Sequence, residues 1–182
     1  KFLFAPTTPK QFMVIADLEN DQKNISGIIK AFQKFSKSNP NIELTIAGGG
    51  IDEAEIRSEI KKLNLSNKVN LIDRVPSDIL SDHLNRSYGL ILFSNYENLP
   101  CVIVESFACS VPVISTNVGG ISEIINETNG VLIQSKNEQE LLEAMDFTIK
   151  KNWDKNTIRQ FAIDNFSLDK IGKEFDDIYR SI

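Results

Sequence analysis

Residues 90–130 read LILFSNYENLPCVIVESFACSVPVISTNVGGISEIINETNG. Leu90 to Ser94 is an apolar run of strand length, and Pro112 to Thr116 is a second one. Between them a helix opens at Pro100, since proline suits a first helical turn whose N–H groups have no partner. The Gly119-Gly120 pair is a turn signal, and another helix start follows it. Two successive strand–turn–helix units predict a parallel sheet, because parallel neighbours need a crossover of this kind.

Glu97 and Glu105 are separated by seven residues inside this stretch. Glu97 falls in the loop, and Glu105 lies about 8 Å up the axis of the helix that starts at Pro100. The N-terminus of a helix offers unpaired N–H groups and a positive dipole end, which together form a seat for phosphate. One carboxylate therefore precedes an anion seat and the other stands beside it. Carboxylates accept hydrogen bonds from sugar hydroxyls, so the layout suits a nucleoside-diphosphate sugar.

The segment ENLPCVIVESFACSVPVISTNVGGISEI resembles the E-x7-E segment of family-4 retaining glycosyltransferases, enzymes of the two-domain GT-B fold. The resemblance implies that Glu97 is the catalytic carboxylate at the donor sugar and that Glu105 holds the ribose hydroxyls. It implies that the main-chain amides of Leu99, Cys101 and Val102 bind phosphate. It further implies a nucleotide-sugar donor as substrate, no metal and no other cofactor, and a role in polysaccharide biosynthesis. The fold expected is α/β: a Rossmann-like parallel sheet with helices on both faces, the C-terminal half of a GT-B enzyme. Residues 1–10, with two prolines, resemble an interdomain connector, and 11–182 the donor domain with its C-terminal helices. The partner so implied is an N-terminal acceptor-binding domain, with peripheral membrane contact through it.

Working outward, Phe12 to Asp17, Ile42 to Ala47, Val69 to Asp73 and Gly130 to Gln134 are further short apolar runs, consistent with strands buried on both faces. Ile25, Ile28 or Ile29, Phe32 and Phe35 recur at helical spacing, and the helix ends before Asn39-Pro40. Asp52 with Glu55 predicts a cap on the next helix, as does Asn137 with Glu140 later on. Trp153 to Phe166 adds a helix. In the last one Ile171, Phe175, Ile178 and Ile182 form an apolar stripe that needs a partner surface.

Ligands of such sheets bind outside the carboxyl ends of the strands. Asp17 to Lys23, Gly48 to Gly50, Arg74, Asn95 to Pro100 and Asn117 to Gly120 all fall at that edge. The resemblance makes Lys23 a diphosphate ligand, Arg74 a ligand at the base or phosphate rim, and Gly48, Gly49, Gly119 and Gly120 backbone contacts to the donor. It also exposes three departures. Asp17 stands where the family usually has Arg, Asp73 where it usually has Gly, and Ser110 where it favours Gly. Asp17 and Ser110 keep one alternative open, a nucleotide-sugar-binding module without turnover; a GT-B nucleotide-sugar epimerase is a second, though such enzymes do not usually show this E-x7-E context. A phospho-receiver domain, suggested by Asp17 and Asp73 at strand ends, fails on the extra C-terminal helices.

A net charge of −5 argues against a nucleic-acid partner, which would leave a basic stripe. No apolar run approaches the roughly 20 residues of a membrane span, so the expected location is cytoplasmic, with the inner face of a membrane as its refinement. Cys101 and Cys109, about 12 Å apart on one helix, are too distant for a disulfide. The single His83, in an amphipathic segment, reads as a surface or half-buried helix residue.

Overall fold

The computed structural model describes residues 2–5 and 7–181. Six strands form one parallel sheet: β1 (Gln11–Ile15), β2 (Glu43–Ala47), β3 (Val69–Ile72), β4 (Ser87–Leu92), β5 (Val113–Thr116) and β6 (Gly130–Ile133). Their order is β3-β2-β1-β4-β5-β6, the doubly wound arrangement that reverses between β1 and β4. The helices are α1 (Asn20–Lys23), α2 (Ile25–Ser38), α3 (Glu53–Lys62), α4 (Ser77–Asn85), α5 (Cys101–Ala108), α6 (Glu138–Lys150), α7 (Lys155–Phe166) and α8 (Leu168–Arg180).

Alternate residues of the sheet feed two cores. Phe12 and Val14 of β1 join Ile28, Phe32 and Phe35 of α2, Ile56 of α3 and Met145 of α6 on one face. Met13, from the same strand, joins Leu84, Ile103, Phe107 and Ile158 on the other. Both faces of the sheet are thus covered, which is why its strands read as short, mostly apolar runs.

The structure moves several sequence-based boundaries. β4 begins at Ser87 and stops at Leu92, so Phe93 and Ser94 lie beyond the carboxyl edge rather than inside the strand. A bulge at Tyr88 shifts the register, with Gln11 opposite Ser87 and Phe12 opposite Gly89. The buried Gln11 amide is satisfied by the His83 carbonyl, by Ser87 Oγ and by the Thr45 hydroxyl. β3 ends at Ile72, leaving Asp73 in the loop. After Gly120 there is only a single 3-10 turn, Ile121–Glu123, in place of a helix start.

Asn137 caps α6 as expected, accepting from Glu140 N at 3.1 Å and donating to Glu140 Oε1 at 2.7 Å. Asp52 does not cap α3: its carboxylate accepts from Asn20 N at 2.7 Å, pinning the turn after β1 instead. Ser110 takes a left-handed conformation with φ 63°, the physical reason for a glycine preference at this helix end. Residues 2–5 and 7–10 form no regular element, but Leu3 and Ala5 are strapped to α4 through Ser81 and Asn85. No residue of α8 is buried, and Phe175 and Ile178 are each 57% exposed. Of its stripe Phe175 and Ile178 are therefore uncovered, while Ile171 is half-buried; Ile182 lies outside the described residues, as do Lys1 and Pro6 of the lead-in. No helix among the described residues is long and apolar enough to cross a membrane.

Candidate active site

A cavity of about 420 Å³ opens at the carboxyl ends of β1, β2 and β4, at the point where the strand order reverses. Asp17, Lys23, Gly48, Arg74, Glu97 and Val102 line it, together with apolar residues that include Ile25, Ile28 and Phe93. Six of the residues singled out from the sequence thus meet in one hollow, although they come from the four separate segments that follow β1, β2, β3 and β4.

Glu97 is placed by the elements around it. Its Oε1 accepts from Lys23 Nζ at 2.5 Å and from Ser94 Oγ at 2.8 Å. Ser94 is in turn held by Thr116, whose hydroxyl donates to the Ser94 carbonyl at 2.7 Å. The Glu97 side chain is only 7% exposed and Lys23 17%, so the pair sits in a partly dry setting that strengthens it. Asn95 clasps the loop to α1: its N–H donates to the Gln22 carbonyl, its Nδ2 to the Asp21 carbonyl, and its Oδ1 accepts from Ser135. The sequence places Asn95 at the ligand edge but marks Ser94 and Thr116 only as strand ends. The only signal there was a pair of small polar residues closing an apolar run.

The two Gly-rich turns have different work. Gly48 has φ 156°, and a Cβ there would lie 1.8 Å from the Ala16 carbonyl oxygen; the backbone of β2 can pass β1 here only without a side chain. Gly49 stands just outside the cavity, its carbonyl accepting from Leu18 N and from Arg74 Nη2 at 3.5 Å. Gly119 and Gly120 do not line the cavity. Gly119, with φ 57°, lies under the Glu97 carbonyl, and Gly120 N donates to the Asn98 carbonyl at 3.1 Å. Their turn supports the loop that carries Glu97.

Val102 lines the cavity, and Glu105, three residues on, shares its side of α5. Glu105 is half-buried and not part of the cavity wall, and burial pushes its carboxyl above the ordinary value. Leu99 and Cys101 are exposed at the start of α5, where no side chain caps the helix. The N–H groups of Cys101 and Val102 have no acceptor among the described residues, the usual state of a first turn.

Arg74, at the loop after β3, bonds Asp17 at 2.6 Å on the exposed rim. Cys109 is buried and its thiol is raised by burial. His83 is half-buried on α4, and burial holds its imidazole below the ordinary value. Neither lines the cavity. No group of three or more His, Cys, Asp or Glu side chains that could hold a metal occurs among the described residues.

The family model described as "Glycosyl transferases group 1" matches residues 1–164. The chain belongs to the group 1 glycosyl transferases. Among group 1 relatives, an uncharacterized glycosyltransferase of Methanocaldococcus jannaschii is 27% identical over 164 residues, covering 87% of this chain and 42% of its own. The N-acetyl-alpha-D-glucosaminyl L-malate synthase of Bacillus anthracis is 25% identical over 171 residues, covering 88% and 42%. The chain therefore spans less than half the length of these two relatives. Its fold matches that of a lipopolysaccharide outer core galactosyltransferase with a TM-score of 0.83 at 16% identity, covering all of this chain and 53% of the other. It also matches an Anabaena protein solved in complex with UDP, TM-score 0.83 at 21% identity, covering 96% and 50%. The structure is thus Rossmann-like and resembles the C-terminal domain of a GT-B glycosyltransferase, as the sequence implied.

Proposed function

We propose that this chain is the donor-binding half of a retaining glycosyltransferase, which transfers a hexose-type sugar from a nucleoside diphosphate to a glycan or lipid-linked acceptor. The observation that carries the reading is the Lys23–Glu97–Ser94 arrangement beside the uncapped start of α5, at the mouth of the cavity between β1 and β4. The diphosphate lies against the N–H groups of Cys101 and Val102, with Lys23 and Arg74 as cations. Glu97 accepts from hydroxyls of the donor sugar, and Glu105, beside Val102, from the ribose. The helix terminus and the cations supply the charge stabilisation that a metal supplies elsewhere, so nucleotide binding survives chelation. The acceptor site and the closing surface belong to a further domain, which carries the peripheral membrane contact on the cytoplasmic side. Without that domain the chain binds nucleotide weakly and transfers no sugar, because transfer needs reacting atoms held about 3–3.5 Å apart.

Calorimetric titration of the full protein with nucleoside diphosphates and their sugar conjugates, with and without a chelator, tests this. Glu105→Ala weakens both ligands, since both carry the ribose; Glu97→Ala weakens the conjugate alone. A charge-assisted hydrogen bond lost in either case is worth roughly 1.5–3 kcal/mol. Equal losses in the Glu97 variant overturn the division of labour. Binding without turnover in the full protein returns the alternative that Asp17 raises, a binding module. Ser110 does not support that alternative, since it closes the far end of α5 outside the cavity.

A further inference from the structure

The cavity wall carries four charged side chains, and each is already paired: Lys23 with Glu97, and Arg74 with Asp17. The wall is therefore neutral before any ligand arrives. The two pairs differ in how firmly they are held. Glu97 has Ser94 as a second partner and both members of its pair are largely shielded. Arg74 and Asp17 are 71% and 62% exposed, and Asp17 makes no other side-chain hydrogen bond among the described residues. An exposed pair of this kind contributes little to stability. It is the pair that a phosphate can open.

Building on the donor-site reading above, we propose that Asp17 is a specificity-determining residue that disfavours the nucleoside diphosphate product relative to the intact sugar conjugate. An arriving phosphate takes the Arg74 guanidinium from Asp17 and leaves the Asp17 carboxylate unpaired at the same rim. The uncovered charge then repels whatever negative charge the cavity holds. Cleavage of the bond between sugar and phosphate leaves a terminal phosphate on the nucleotide, whose second ionisation lies near pH 6. At neutral pH the product therefore carries nearly one negative charge more than the donor. Asp17 acts on that difference: donor is tolerated, and product is pushed out. No bond to Asp17 forms or breaks, and the residue is neither acid nor base in the transfer.

The test compares Asp17→Asn with the wild-type full protein in titrations against matched pairs, UDP with UDP-glucose and GDP with GDP-mannose. One extra charge about 8 Å away, at an effective dielectric of about 40, alters affinity roughly fivefold. The substitution therefore tightens the diphosphate by about that factor more than it tightens the conjugate, and the gap shrinks as salt rises. The apparent product-inhibition constant falls in step. Arg74→Gln loosens both ligands, which shows that the guanidinium reaches phosphate. Equal tightening of both ligands by Asp17→Asn overturns the inference while leaving the donor site intact. So does loosening, which would mean that Asp17 only props Arg74. If wild-type protein binds neither pair, the donor-site reading falls and this one falls with it.

Discussion

Adjacent glycines offer a sharp test of how the loop carrying Glu97 is held. A Cβ built at Gly119 lies 1.9 Å from the Glu97 carbonyl oxygen, with the Asn98 carbonyl oxygen at 3.0 Å. To reach even the 3.0 Å below which real contacts do not occur, the loop must retreat by about 1.1 Å. Gly119 also has φ 57°, a conformation that costs an alanine roughly 1–2 kcal/mol by itself. Gly120 is different: φ is −83° and the nearest atom to its Cβ is the Asn98 carbonyl oxygen at an ordinary 3.6 Å. Gly119→Ala is therefore expected to cost about 2–4 kcal/mol, a drop of roughly 5–15 °C in melting temperature for a chain of this size. Gly120→Ala stays within about 1 kcal/mol of wild type, on the stabilising side. The displacement also carries Glu97 off Lys23 and Ser94, and misplacement by about 1 Å can cost transfer roughly a hundredfold. Thermal unfolding of both variants, with conjugate titrations and donor turnover in the full protein, reads both effects. Equal melting of the two variants refutes the steric argument. A destabilised Gly119→Ala protein that still binds conjugate like wild type refutes the link to Glu97.

Other outcomes follow from the same geometry. Lys23→Ala strands a Glu97 carboxylate that is 7% exposed and is expected to cost about 2–4 kcal/mol in urea unfolding, whereas Arg74→Ala, from an open pair, costs under about 1 kcal/mol. Glu105 has its carboxyl raised above 4.5 by burial, so the folded chain binds its proton more tightly than the unfolded chain and loses stability as pH rises through that window. Glu105→Gln removes this loss: its stability advantage over wild type grows as pH rises above the ordinary carboxylate range, and a pH-independent difference contradicts the burial argument. Phe175→Ser and Ile178→Ser, on a helix with no buried residue, each leave the stability of this chain within about 0.5 kcal/mol while shortening its retention on a hydrophobic column; a large loss in melting would show that α8 is covered in solution.

The fold was legible because a sheet covered on both faces demands mostly apolar strands, and Phe12 to Ile15 of β1, Leu44 and Ile46 of β2 and Val113 and Ile114 of β5 supply them. β4 was misread by its start, because Ser87, Tyr88 and Gly89 look like loop until a bulge against Gln11 makes them strand. Asp52 was misread since a capping pattern cannot announce that a backbone N–H 32 residues earlier competes for the carboxylate. At the site, Glu97 and Lys23 could be named from their local surroundings, but their contact could not, because it depends on β4 lying beside β1. The Asp17–Arg74 pair was hidden because its members, 57 positions apart, meet only across the sheet edge. Read alone, Asp17 looked like a charge facing the phosphate; in place, it is answered by an arginine from a different strand.

The strand order also dictates a timetable for the chain as it is made. β1, β2 and β3 are consecutive in sequence and form one side of the sheet, and β4, β5 and β6 form the other. A ribosome thus releases a complete first half, with the inner edge of β1 bare, before any of β4 exists. Only when residues 87–92 emerge can that edge be sealed, by pairing Gln11 with Ser87 across 76 positions. The junction that joins the two halves of the sheet is also where Lys23 meets Glu97, so the ion pair forms as that long-range docking occurs. A nascent chain halted before β4 exposes a strand edge open to misplaced pairing, and Lys23 is then present without Glu97, which has yet to be made. Contact between Lys23 and Glu97 is therefore a molecular marker that the two halves of the sheet have joined.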